Sequence, residues 1–141
     1  TEEITIRMIG IDAPESVSMN EEENSIYGEM ASDYTKQRLQ SGTTIYLTFD
    51  KEKADQYGRT LAYVWMDDDL SDTDTLFQKQ MIADGYAISM RFEPNTLYAD
   101  ILETSMYAAM MEKRGLWSDD TFYNENKNTI LYIDSNEIYE K

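Results

Sequence analysis

Residues 7–15, RMIGIDAPE, set a cation, Arg7, at the start of an alternating apolar run, an acid, Asp12, where that run ends, and a second acid, Glu15, just beyond Pro14. The chain has no histidine, so acid–base chemistry near neutral pH falls to carboxylates, tyrosine or lysine. It has no cysteine either, which excludes disulfides, zinc–thiolate sites and thiol catalysis but leaves the compartment open. A plainer reading of the same nine residues is a strand with charged ends, stopped by a proline that has no N–H to give to a ladder. The surrounding chain has to decide between the two.

At 141 residues the length suits one domain with a sizeable core. The balance of 28 acidic against 12 basic residues gives a formal net charge of −16. Such a charge repels nucleic acids and anionic membranes at long range, and speaks against a general polyanion binder. It leaves room for a local basic site, particularly one that holds a divalent cation. No stretch approaches a membrane span and the start does not read as a signal peptide, so a soluble body with no membrane partner is expected.

The elements that must position these residues follow from periodicity. Residues 5–11 alternate as a strand, and the polar, acidic residues 16–26 read as an exposed loop. A helix is expected over 28–39, where Met30/Tyr34 and Ala31/Thr35/Leu39 recur at helical spacing. In 43–50, Ile45, Leu47 and Phe49 share a face with a period of two. After the turn composition of 51–59, TLAYVWM is apolar on both faces, as in a strand covered on both sides. A short helix carrying Leu76, Phe77, Gln80 and Met81 should stop at Gly85. A longer one carries Tyr98, Ile101, Leu102, Ser105, Met106, Ala109 and Met110 and closes at Lys113, Arg114 and Gly115. Residues 119–128 have a linker-like composition, and 129–141 read as a hairpin around Asp134, Ser135 and Asn136.

Six blocks in order, RMIGIDAPE, YGEMASDYTK, DQYGRTLAYVW, ADGYA, EPNT and GLWS, resemble the staphylococcal nuclease (thermonuclease) family over residues 5–118. The resemblance implies an α+β fold, a five-stranded OB-type barrel with three helices packed against it. It also implies calcium-dependent hydrolysis of the phosphodiester bonds of single-stranded or locally opened DNA and RNA. Position by position, Arg7 and Arg59 match the two arginines at the scissile phosphate, and Glu15 the carboxylate proposed as general base. Asp12 matches a calcium ligand and Ala13 a residue whose main-chain carbonyl faces the metal. Tyr57 matches a tyrosine that contacts a terminal phosphate, and Phe92 stands where a groove tyrosine would be.

The residue types suit that chemistry. Hydrolysis of a phosphodiester brings water to an anionic phosphorus and stabilises a more highly charged transition state. A carboxylate can orient or deprotonate that water where no histidine exists, and hard oxygen ligands suit calcium. Two guanidinium forks can hold phosphoryl oxygens bidentately, which lysine cannot do.

Other features depart from the family. Its first two strands, with an acidic metal-binding turn, would precede residue 5, and YIDSNEIYE near the C-terminus resembles them. A circular permutation is therefore expected, or an exchange in which each hairpin completes the barrel of a second copy or an adjacent repeat. The core would span 1–118, a linker 119–128 and the completing hairpin 129–141. Asn136 would then take a metal-ligating aspartate's place, with Asp134 as the alternative ligand after a one-residue shift. Losing a charge weakens calcium binding. Gln56 replaces a phosphate-contacting lysine, Met90 a second groove tyrosine, and Glu21, Glu22 and Glu23 stand in a loop that is basic in the best-known member. The sequence thus points to a weak or conditional nuclease, with a catalytically silent OB module for protein–protein contacts as the alternative. The resemblance implies secretion or attachment to a bacterial surface.

Overall fold

The twice-covered run TLAYVW is the central strand of the structure, a computed structural model that describes residues 2–12 and 21–127. Five strands lie among those residues: β1 (Ile6–Met8), β2 (Ile11–Asp12), β3 (Tyr46–Thr48), β4 (Thr60–Trp65) and β5 (Ile88–Ser89). β4 buries every side chain from Leu61 to Trp65. β1 pairs with it in parallel, Ile6 opposite Thr60 and Met8 opposite Ala62, and β3 pairs antiparallel on its other side. β2 and β5 form a separate antiparallel ribbon, Asp12 opposite Ile88.

The class is α+β, as expected, but the pairing that would close a five-stranded barrel is not present among the described residues. β1 and β3 are the outer strands of an open three-stranded sheet, and the hairpin at 129–141 lies outside the described residues. The single strand expected over 5–11 is split by a turn at Ile9–Gly10, where Gly10 adopts φ +88° and its carbonyl accepts the Met90 N–H at 2.8 Å. The split frees β2 to leave the sheet and join β5.

Three helices match expectation in place and differ in extent. α1 (Glu21–Arg38) begins well before the expected start and takes in half of the stretch read as a loop. Glutamate is a good helix former and is favoured at helix N-termini, so acidic composition alone does not argue for a loop. Its buried seam is Tyr27, Ala31 and Tyr34, while Met30 is exposed. α2 (Phe77–Ala83) buries Phe77, Gln78, Met81 and Ile82, so Gln78 rather than Gln80 faces the core. α3 (Ala99–Met111) buries Leu102, Met106, Ala109 and Met110.

A fourth helix, α4 (120–127), occupies the stretch whose polar composition reads as a linker. Asp119 caps it by accepting the Phe122 N–H at 3.0 Å, and the same carboxylate accepts the Tyr27 hydroxyl at 3.2 Å. Phe122 is buried edge-on between Tyr27 and Trp117, at centroid distances of 5.0 and 4.9 Å. Phe122, with Tyr123 packed against the same core, and the Asp119 cap therefore dock a segment that lacks a wide apolar face.

The loop after β3 is tied to the start of α3 through Asp50, which accepts the Tyr63 hydroxyl at 2.6 Å and the Leu97 N–H at 3.1 Å. Partial burial raises the Asp50 carboxyl, but these bonds and the Lys51 N–H outweigh it and hold the group below the ordinary aspartate range. A carboxyl depressed in the folded state contributes stability that is present above its unfolded value, about 3.9, and is lost as pH falls through the folded one. Asp50→Asn should therefore flatten the decline in unfolding free energy between about pH 5 and pH 3, measured by urea titration. An unchanged slope would show that Asp50 carries none of the acid sensitivity.

Candidate nucleic-acid cleft

The odd positions of β1 and β4 point to one side of the sheet, and Arg7 and Leu61 stand opposite each other there. Together with Arg59, immediately before β4, they line a cleft of about 360 Å³. Its floor is apolar, from Met8, Ile9, Ile11 and Leu61; Gln56, Tyr57, Met90 and Phe92 form its rim, and Glu52 and Asp55 its acidic side.

Arg7 is held by its own strand end. Nη1 donates to the Met8 carbonyl at 2.8 Å and Nη2 to the Ile11 carbonyl at 3.0 Å, across the Ile9–Gly10 turn. Arg59 is held by a turn built around Asp55. Asp55 Oδ1 accepts the backbone N–H groups of Tyr57 and Arg59, each at 2.9 Å, and Oδ2 accepts Arg59 Nε at 2.7 Å. Desolvation raises the Asp55 carboxyl, but the backbone and side-chain bonds from Arg59 and the Tyr57 N–H hold it below the ordinary range. Asp55 thus stays ionised and fixes the guanidinium plane while using only one of its five N–H donors. Tyr57 is 75 % exposed, its ring 5.7 Å from the Arg59 guanidinium carbon.

Asn95, buried, clamps the opposite wall. Its Oδ1 accepts the Glu52 N–H and its Nδ2 donates to the Glu52 carbonyl, both at 2.9 Å, so the turn after Phe92 is tied to the loop that leads to Asp55. Neither Asp55 nor Asn95 is among the sequence-derived candidates. An aspartate two residues before Tyr57 and four before Arg59, around Gly58, is the signature of a side-chain-closed turn and could have pointed to Asp55. Asn95 pairs with a residue 43 positions away, for which no local signal exists.

Of the sequence-derived candidates, Arg7, Arg59, Tyr57 and Phe92 meet in this cleft. Asp12 does not line it. It borders a neighbouring hollow under α1, with Gly28, Ala31, Ser32 and Thr35, and Arg7 borders both spaces. Ala13, Glu15, Asp134 and Asn136 lie outside the described residues. Among the described residues no group of three or more acidic side chains is arranged to hold a metal ion. Asp12 is the one carboxylate among the described residues that line that hollow, and a single carboxylate does not amount to a calcium site.

The family model described as Staphylococcal nuclease homologue matches residues 5–119. The thermonuclease of Staphylococcus hyicus is 36% identical over 114 residues, 81% of this chain and 63% of the relative. That of Staphylococcus intermedius is 34% identical over 112 residues, 79% of this chain and 62% of the relative. The SPbeta prophage-derived endonuclease YokF of Bacillus subtilis (strain 168) is 35% identical over 123 residues, 86% of this chain and 39% of the relative. The chain therefore spans less than two thirds of the length of these relatives.

Proposed function

Since the chain belongs to the staphylococcal nuclease homologue family, we propose that its cleft hydrolyses phosphodiester bonds of single-stranded DNA or RNA in a calcium-dependent reaction. The observation that carries this reading is the meeting of Arg7 and Arg59, far apart in sequence, in one cleft rimmed by Tyr57 and Phe92. In a chain of net charge −16, two guanidinium groups over an apolar floor form a local anion site, and the partly desolvated setting strengthens their pull on a phosphate.

Each guanidinium keeps donors beyond those its anchors use. Arg59 can present both Nη nitrogens to the phosphoryl oxygens while Asp55 holds Nε. Arg7 can present Nε and its remaining Nη protons. Donors already fixed in place stabilise charge that develops in the transition state without reorganising. Tyr57 and Phe92 are exposed enough to meet the sugar and base, and stacking on an aromatic ring suits a single strand of any sequence.

Glu15 is the proposed general base. Calcium is the ion that family membership implies, and the hard oxygen donors of this reading suit it. Asp12 would supply one donor, and the others, the Ala13 carbonyl and Asn136 or Asp134, belong to segments outside the described residues. The same reading has the 129–141 hairpin, of this chain or of a neighbouring copy or repeat, complete the barrel, and places the protein outside the cell or at its surface. Among the described residues no helix is long and apolar enough to cross a membrane.

The test is cleavage of a fluorescent single-stranded DNA at low salt with calcium or a chelator. Glu15→Gln should remove most of the calcium-dependent rate, a loss of about a hundredfold or more for a positioned base, with the fold intact by circular dichroism. Equal rates in the mutant would remove Glu15 from the mechanism. The second reading, a silent module for protein contacts, draws on Glu52 and Asp55 beside the arginines and on the acidic surface. Absence of cleavage by a folded wild-type sample would favour it.

A further inference from the structure

One fully buried polar side chain has no part in the chemistry above. Gln78 of α2 is 0 % exposed and sits between β1 and β4. The two strands run parallel with Arg7 opposite Leu61 and Met8 opposite Ala62; one step further, Ile9 would stand opposite Tyr63. In a parallel ladder such a residue donates its N–H to the residue before its opposite number and accepts from the residue after it. Ile9 makes the first of these bonds, to the Ala62 carbonyl at 3.0 Å. The second is taken over by Gln78: the Val64 N–H donates to Oε1 at 3.0 Å, while Nε2 donates to the Ile9 carbonyl at 3.3 Å and to the Ala62 carbonyl at 3.0 Å.

We propose that Gln78 is a positioning residue whose amide stands in the β1–β4 ladder as a surrogate peptide group, holding Ile9 off Val64 so that the chain turns into β2 and keeps the arginine cleft open. Ile9, Gly10 and Ile11 all line that cleft, and the Met8 and Ile11 carbonyls that hold the Arg7 guanidinium flank the wedge. An apolar side chain of the same length would fill the space, but it would leave the Val64 N–H and the Ile9 carbonyl without partners. Their simplest relief is to bond each other, which zips β1 one step further along β4 and draws the turn and the Ile11 carbonyl away from Arg7. Misplacement of a phosphate-binding group by about an ångström can cost a hundredfold in rate.

The catalytic part of this proposal rests on the nuclease reading; the ladder part does not. Gln78→Met, of equal length, and Gln78→Asn, which keeps an amide but is one methylene short, would be compared with wild type well below their unfolding transitions. Scalar coupling across hydrogen bonds identifies the acceptor of the Val64 N–H. It should be the Gln78 side-chain carbonyl in wild type and the Ile9 main-chain carbonyl in Gln78→Met. In the cleavage assay kcat should fall by about a hundredfold in Gln78→Met and by less in Gln78→Asn, with KM within about threefold. A side chain needed only for stability would leave both constants unchanged in the folded protein. Should Gln78→Met fail to fold, Gln78→Asn carries the same comparison, and unchanged kcat in the folded variant would overturn the positioning role. A Val64 N–H that keeps no link to Gln78 in wild type, or an undisturbed Arg7 Nε–H resonance in the variants, would overturn the wedge itself. An inactive wild type with the expected couplings would instead count against the nuclease reading.

Discussion

Arg59→Ala should lower kcat/KM for single-stranded DNA by about a thousandfold, the range seen when a preorganised donor to a developing anion is removed. The loss should fall mainly on kcat. Asp55 fixes the guanidinium before substrate arrives, through a 2.7 Å bond to Nε and two backbone bonds that shape the turn. Its free Nη nitrogens are therefore available where charge accumulates, and contribute more to the transition state than to ground-state binding. Arg59→Lys should recover little of the rate, because an ammonium group cannot keep the Asp55 bond while donating two parallel bonds to a phosphate. Single-turnover kinetics at saturating substrate would separate the terms. A variant that loses only affinity would show that Arg59 binds the strand without serving the reaction.

Gly85→Ala should destabilise the fold by about 3 kcal/mol or more, from a strained backbone and an unavoidable clash. Gly85 ends α2 at φ +89°, a conformation that L side chains rarely adopt. A Cβ built there would lie 2.1 Å from the Arg114 carbonyl oxygen and 2.6 Å from its carbon, both main-chain atoms. The approach is close because the Leu116 N–H donates to the Gly85 carbonyl at 3.0 Å, tying the end of α2 to the turn after α3. Leu116 and Trp117, both about 1 % exposed, follow in that turn, and Trp117 packs against Phe122 of α4. Moving the backbone aside would therefore unseat part of the core. Domains of this size have about 5–15 kcal/mol in total, so the loss should appear as a large drop in the urea midpoint. A change below about 1 kcal/mol would show that the two turns can separate freely.

The cleft and the fold were legible to different degrees. Tyr57, Gly58 and Arg59 lie in one turn, and Arg7 opens an alternating strand, so residue type and local pattern were enough to nominate them. β4 could be read from its unbroken apolar run because a strand covered on both faces needs no polar side. α3 could be read from its spacing for the equivalent helical reason. The start of α1 and the whole of α4 are not legible where composition is polar. α1 continues through an acidic segment, and α4 is held by Phe122 docking between Tyr27 and Trp117, partners that no window of sequence contains.

By itself, then, the sequence determined which groups this chain has for acid–base and anion-binding chemistry: carboxylate, guanidinium, ammonium and phenol, with neither imidazole nor thiol. It also determined family membership, through ordered blocks whose turns and strand ends are locally encoded. Only the tertiary structure decided that Arg7 and Arg59 share one cleft while Asp12 borders another, that Asp55 and Asn95 brace its walls, and that β2 parts from β1 at Ile9. The reason is that these are choices between alternative partners for backbone and side-chain polar groups. Gln78 illustrates it: a glutamine in a short amphipathic helix has no preferred partner within reach, and the carbonyl it meets at Ile9 is 69 residues away. Burial removes water as the competing partner and makes that distant contact decisive.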